Sequence, residues 1–227
     1  MSTILIPTRS AEDWRHLLAQ PDKHWKRGFS ARTLAYCWQD ADGLPGSVRE
    51  VFAQSGIDAF AQLEVLFILP EHRIPLPGGS RPSQCDIWLL GRSPAGLVSI
   101  AVEGKVEEPF GPTLGEWLQD ASSGKETRLA YLQEQLGLAG TAMDDVRYQL
   151  LHRTASAVIE AKRFGAPHAM MLVHSFSETG SWFEDYERFL SLFGVKGVPN
   201  SVIKVVGREA PFLYFAWVRG EERYLEV

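Results

Sequence analysis

Residues 86–105, DIWLLGRSPAGLVSIAVEGK, constrain the chain more than any other stretch. Two apolar runs, 87–90 and 97–102, are rich in the β-branched and aromatic residues that suit a buried, pleated surface. Between them lies the turn-forming segment Gly91-Arg92-Ser93-Pro94-Ala95-Gly96. Strands joined by so short a loop pair antiparallel as a hairpin. A loop centred between Pro94 and Ala95 sets Asp86 opposite Glu103 at the hairpin's open end. Side chains alternate along a strand, so Lys105 shares the face of Glu103, one pleat further on.

Two carboxylates and an amine thus converge. Carboxylates held close together repel, and in a half-buried site each is costly unless a cation lies between them. Mg²⁺ suits this position: it takes oxygen ligands, binds through one or two carboxylates, and keeps waters that a substrate phosphate can displace. A nearby lysine can orient a metal-bound water or balance charge on a phosphoryl transition state. The chemistry indicated is metal-assisted phosphodiester hydrolysis. The alternative is a solvated Glu103/Lys105 pair and an Asp86 that merely starts a turn. The run VSIAV leads directly into Glu103, which puts this acid at the edge of a buried strand and favours the metal site.

Asp86 followed by Glu103-Gly104-Lys105 at the end of the next strand resembles the Asp…Glu-x-Lys signature of the PD-(D/E)XK nuclease superfamily, which includes restriction endonucleases and RecB-like exonucleases. The resemblance covers the middle of the chain. It departs from the name motif in one respect, because Cys85 and not proline precedes Asp86. It implies an acid opening the second strand of a small sheet, Glu-x-Lys closing the third, and a helix leading to a fourth. By that resemblance, Asp86 and Glu103 would hold Mg²⁺ or Mn²⁺ and Lys105 would assist the attacking water. A crossover-helix glutamine, here Gln149, would orient the reactants, and the substrate would be nucleic acid, DNA first. A homodimer would follow if both strands of a duplex are cut. The phrases LPGGSRPSQCD, VEGKVEEPFG and RYQLLHRTASA also resemble a bacterial protein family without an assigned function.

The whole 227-residue chain reads as one α/β domain: a mixed central sheet flanked by helices, with a restriction-endonuclease-like core over 56–175. A helical N-terminal extension over 1–55 precedes it, and a helix with a β-hairpin over 176–227 follows. Cys37 and Cys85 lack metal-knuckle spacing and suggest neither zinc nor a disulfide framework. The opening apolar run is too short for a signal peptide and no stretch approaches a membrane span, so a cytoplasmic setting is expected. The net charge of −5 weighs against extensive phosphate contact. Two basic clusters could still line a local groove: Lys23, His24, Lys26, Arg27 and Arg32; and Arg147, His152, Arg153, Lys162 and Arg163.

In chain order, Ser10 with Asp13 reads as a capping box whose helix Pro21 ends. The basic stretch DKHWKRGFS reads as an aromatic plug with solvated lysines, the alternative being a phosphate-contacting arm. A helix from Ser30 ends at Asp42-Gly43, and Ser47 with Glu50 suggests a second capping box. Spacing of Phe60, Leu63, Leu66 and Phe67 predicts a helix over 57–67, with Glu64 beside its apolar stripe as a possible added site residue. A short strand over 73–76 would place Glu71 away from Asp86. The Gly78-Gly79 loop lacks Walker spacing and reads as a tight connection. Glu107 would share the face of Glu103 if the strand continued past Lys105.

A helix over 127–136 and a long one over 144–164 follow, the latter carrying Gln149 and Arg153, the second a candidate for contacting the substrate backbone. Residues 169–174 form a buried parallel strand whose His168 and His174 lie too far apart to share a metal. Ser181 with Glu184 would open another helix, and 202–206 with 212–218 would form a terminal hairpin. Two further readings stand beside the nuclease: a non-catalytic binding protein that keeps the fold, and a hydrolase of another phosphoester.

Overall fold

The computed structural model describes residues 4–6, 8–41 and 43–227. Six strands form one open mixed sheet: β1 (Glu64–Ile74), β2 (Ser83–Ser93), β3 (Gly96–Lys105), β4 (His168–Ser175), β5 (Ser201–Lys204) and β6 (Phe212–Arg219), in spatial order β1-β2-β3-β4-β6-β5. The first three pair antiparallel, β4 lies parallel to both β3 and β6, and β5 closes the far edge antiparallel to β6. The expected α/β class with a mixed sheet between helices is the architecture observed. Among the described residues no helix is long and apolar enough to cross a membrane.

Both sheet faces are covered. α1 (Pro21–His24), α2 (Ser30–Ala41), α3 (Gly46–Gln54) and α4 (Asp58–Ala61) lie in chain order before β1. Trp14, Leu34, Trp38, Phe52 and Phe60 from this region pack on Ile87, Ile100, Leu172 and Ala216. α5 (Leu114–Leu118), α6 (Ser123–Leu136), α7 (Tyr148–Phe164) and α8 (Phe183–Ser191) cover the opposite face, over Trp88, Ala101, Val173 and Phe215. Along β4, Met170 and Leu172 face one layer and Met171 and Val173 the other, the alternation expected of a strand buried on both sides. The described residues before 56 therefore pack as a layer on the sheet. The terminal hairpin is likewise part of the sheet, because β6 pairs with β4 along its length.

Several local expectations change. The segment expected as a helix over 57–67 gives only the single turn of α4 before β1 begins at Glu64. A spacing of three and four also fits a short turn followed by a strand, and tertiary pairing with β2 decides it. Pro70 is tolerated because β1 is the sheet's edge strand. The β2–β3 hairpin is tighter than its sequence suggests: Ser93 pairs with Gly96, leaving only Pro94 and Ala95 in the turn. The Ser10/Asp13 box is present on a 3₁₀ helix over Ala11–Leu17. Ser47, however, lies inside α3, where Pro45 is the cap, and its hydroxyl meets His174 Nε2 at 3.2 Å. Glu50 accepts from Gln54 on the same helix. α8 opens after Trp182 in the left-handed region, with no cap from Ser181, and α7 begins at Tyr148, four residues after the expected start. Of the expected break at Asp42-Gly43, Asp42 lies outside the described residues.

Candidate active site

The hairpin register is the expected one. Ile87 pairs with Val102, so Asp86 and Glu103 stand at the open end, and the Gly104 amide donates to Asp86 Oδ2 at 2.8 Å. Gly104 allows the helix behind to approach, since a side chain there would press on Leu34. β3 stops at Lys105, and the prolines that follow bring Phe110 beneath its ammonium, 4.7 Å from the ring centroid. The same turn is stitched to the start of α7: Leu114 N–H donates to the Val146 carbonyl at 2.7 Å and Tyr148 N–H to Pro112 at 3.1 Å. The start of α7 is thereby fixed against the end of β3.

That placement brings Gln149 and Arg153 onto Glu103. Glu103 Oε1 accepts from Lys105 Nζ at 2.9 Å and Gln149 Nε2 at 2.6 Å, and its Oε2 accepts from Arg153 Nε at 2.6 Å. Lys105 also donates to Gln149 Oε1 at 3.2 Å. Burial alone would raise the Glu103 pKa, but Lys105 and Arg153 overcome it and hold the carboxyl below its ordinary range. Arg153 responds in kind: burial works against its charge, yet Glu103 and Asp86 raise its pKa further. Arg153 is thus a buried partner of the acids, with its side chain also lining the cavity.

Glu71 is the site residue that the sequence hid. On β2, Ser83 touches Ser156 of α7 and Cys85, Trp88 and Leu90 belong to the core on that same side, one residue more than strict alternation permits. On β1, Phe67 and Leu69 pack on that side, and after them Ile74, with His72 against Trp88, so the same slip occurs there. The slips fall at Asp86 and at Glu71, between the paired residues Pro70–Ile87 and His72–Cys85, and Glu71 takes φ 53°. Such irregularities re-aim side chains next to sites. Glu71 and Asp86 line the same cavity. Burial and then the Asp86 charge push Glu71 up to about 8. Burial and then Glu103 push Asp86 up to about 7, against the pull of Arg153 and Lys105. Gln84 donates to Glu71 at 2.6 Å, and the nearest cation to Asp86 is Arg153 at 3.9 Å.

The cavity, of ≈ 680 Å³, has two walls of different origin. α7 supplies Tyr148, Gln149, His152 and Arg153, and the segment between Leu18 and Ala31 supplies Lys23, His24 and Phe29. Glu108 pins the second wall by accepting from the Ser30 amide at 2.8 Å, a carboxylate at a helix N-terminus. One pair from each basic cluster, Lys23 with His24 and His152 with Arg153, therefore faces the cavity. Of the others, Arg27 pairs with Glu226, Arg32 with Glu12, Arg147 with Asp185 and Arg163 with Glu160, Lys162 donates to Gln135, and Lys26 lies over the Phe29 ring.

Two expected candidates fall outside. Glu64 opens β1 at the far end of the hairpin, paired with Arg92 at 2.8 Å on the exposed surface. Glu107 turns away because the strand has ended, and accepts from Ser177 at 2.7 Å and Ser181 at 2.6 Å. His168 and His174 are packed groups: the first meets Tyr214 and the Ala95 carbonyl, and the second accepts from Trp38 at 3.1 Å.

As a donor set, Glu71, Asp86 and Glu103 are three hard carboxylates. Asp86 and Glu71 stand together with too little positive charge, while both oxygens of Glu103 already have partners. Among the described residues no three His, Cys, Asp or Glu side chains are arranged as a ready ligand cluster. The charge deficit at Asp86 and Glu71 nonetheless fits a divalent cation. A family model described as a domain of unknown function, DUF6946, matches residues 7–222. No curated protein and no solved structure matches the chain.

Proposed function

We propose that this chain, which belongs to the DUF6946 family, is a nuclease-like phosphodiesterase dependent on Mg²⁺ or Mn²⁺, of the PD-(D/E)XK type. The observation that carries the reading is that Glu71 and Asp86 line one cavity with Glu103, Glu71 held by neutral Gln84 and Asp86 no nearer to a cation than 3.9 Å from Arg153; burial first, and then a neighbouring carboxylate, raises the pKa of each. Asp86 and Glu71 would hold the ion, with Glu103 joining by yielding one of its present partners. The bound ion would supply Lewis-acid polarisation of a phosphoryl oxygen and acidify a water. Hydrolysis forms one P–O bond to water and breaks one to the leaving oxygen, so a proton must leave the water and another must reach the leaving group. Lys105, set against Phe110, brings a fixed positive charge that orients the water and offsets charge gained by the phosphoryl oxygens. Gln149, holding both Glu103 and Lys105, keeps them in register. Lys23 on the opposite wall supplies charge, and His24 a hydrogen-bonding ring, for a flanking phosphate. DNA is the first substrate to test.

The test is incubation of the protein with labelled single- and double-stranded DNA and RNA, with Mg²⁺, Mn²⁺ or a chelator. Metal-dependent cleavage that Lys105→Met abolishes supports the reading, and no cleavage of any substrate opposes it. One observation favours a second reading, a non-catalytic binding module: Glu103 is fully satisfied by Arg153, Lys105 and Gln149 without any ion. Nucleic-acid binding without hydrolysis would select it. Hydrolysis of small phosphoesters alone would identify a different phosphoesterase.

A further inference from the structure

The groups assigned to the chemistry lie at the floor of the cavity and not on an open face: the side chains of Glu103, Lys105 and Asp86 keep 3%, 5% and 22% of their surface exposed. Two walls rise beside them. Tyr148 on α7 is backed by Trp117, the two rings nearly parallel with centroids 4.1 Å apart. The facing segment is tied down by Glu108, one oxygen accepting from the Ser30 amide at 2.8 Å and the other from the Val106 amide at 3.2 Å. The ≈ 680 Å³ between them matches pockets that enclose one small organic ligand, about 300–1,000 Å³, and gives room for about one or two nucleotides. A duplex is a stiff, convex body whose phosphates stand on its outer surface, each braced by paired and stacked bases behind it. Such a phosphate cannot descend between two walls to groups this deeply buried unless its strand leaves the helix.

The lining also has the make-up that holds a single strand, an aromatic platform beside cationic groups. Phe29 lines the wall facing α7 with 36% of its surface exposed, and Lys23 on the same wall pairs with no acid among the described residues. The net charge of −5 opposes the long run of phosphate contacts from which duplex binders gain affinity, whereas stacking on one ring with a phosphate contact beside it needs no basic face. Resting on the phosphodiesterase reading, we infer that the substrate is single-stranded nucleic acid, a free end or an unpaired segment, which enters the cavity with a base stacked on Phe29 and the flanking phosphate at Lys23.

The test uses the full chain with Mn²⁺ and a labelled oligonucleotide of mixed sequence, made as DNA and as RNA, each free and annealed to its full complement, beside bis(p-nitrophenyl) phosphate as a phosphodiester without a nucleotide. The free strand should be cleaved at least about tenfold faster than the annealed one, because only the duplex must first unpair and unstack a nucleotide. Phe29→Ala should lower kcat/KM on the free strand by about five- to a hundredfold, the effect of losing one stacking platform, and Phe29→Trp should retain it. An abasic strand should not distinguish Phe29→Ala from the unmodified protein, whereas a disturbed wall would slow that strand too. Duplex cleaved as fast as the free strand, or free strand cleaved by Phe29→Ala at the unmodified rate, overturns the inference and leaves the phosphodiesterase reading in place. Hydrolysis of bis(p-nitrophenyl) phosphate with no strand cleaved overturns it as well. No metal-dependent hydrolysis of any probe instead counts against the phosphodiesterase reading itself, and this inference falls with it.

Discussion

Replacing Asp86 by asparagine should stabilise the metal-free protein at alkaline pH. The Gly104 amide now donating to Asp86 Oδ2 can donate to the asparagine carbonyl oxygen, so shape and backbone contact survive while the charge goes. The Asp86 pKa is raised to about 7, against an ordinary value near 4 in the unfolded chain. For a raised carboxyl the folded state holds its proton more tightly than the unfolded one. Its penalty is absent below about pH 4, grows as the pH rises, and is complete above about pH 7. That displacement corresponds to about 4 kcal/mol. The side chain keeps 22% of its surface exposed and shares its titration with Glu71, so roughly 1–2 kcal/mol is the figure to carry forward. For a domain of this size that is a rise in melting temperature of about 2–8 °C. Thermal unfolding at pH 5 and pH 8, with chelator and then with Mg²⁺, reads it. The Asp86→Asn protein should gain over the unmodified protein at pH 8 more than at pH 5, and Mg²⁺ should stabilise only the unmodified protein. Equal loss of stability at both pH values would refute the reasoning.

Other consequences follow from the same geometry. Glu103→Gln strips the charge that Arg153 and Lys105 share and leaves two buried cations short of a partner, so urea unfolding should report a loss of about 3–5 kcal/mol. Glu64→Ala removes only an exposed pair with Arg92, and both stability, within about 0.5 kcal/mol, and divalent affinity should stay unchanged. Glu71→Gln should weaken Mn²⁺ binding at least about tenfold, read by titration calorimetry, because one of the two under-compensated carboxylates is gone. Gly78→Ala should destabilise by roughly 2 kcal/mol or more in thermal unfolding: its φ is +79°, and a Cβ would lie 2.0 Å from the Gly124 carbonyl.

Much of this site was legible because it depends on local rules. A two-residue turn fixes the hairpin register, and register with alternation places Asp86, Glu103 and Lys105 together. The three- and four-residue spacing of Leu150, Leu151, Ala155 and Val158, stopped by Gly165, gives α7 and carries Gln149 with it. Glu71 was hidden because its position depends on matched slips in two neighbouring strands, while the edge strand itself, carrying Pro70 and the charged Glu64, Glu71 and Arg73, reads poorly as β. Arg153 reads as a surface residue by type, and its burial is explained by distant partners, above all Glu103, fifty positions away. The wall bearing Lys23 and His24 depends on the Glu108 bond to Ser30, a contact with no local signal. The spacing across Phe60, Leu63 and Phe67 suits a helix, and pairing with β2 outweighs it.

The central claim is that Asp86 anchors a divalent cation. Isothermal titration of Mg²⁺ and Mn²⁺ into the unmodified protein and into Asp86→Asn tests it most directly, because that substitution preserves the fold it probes. Saturable binding by the first and none by the second is the expected result; equal binding by both, or none by the unmodified protein, would contradict the account.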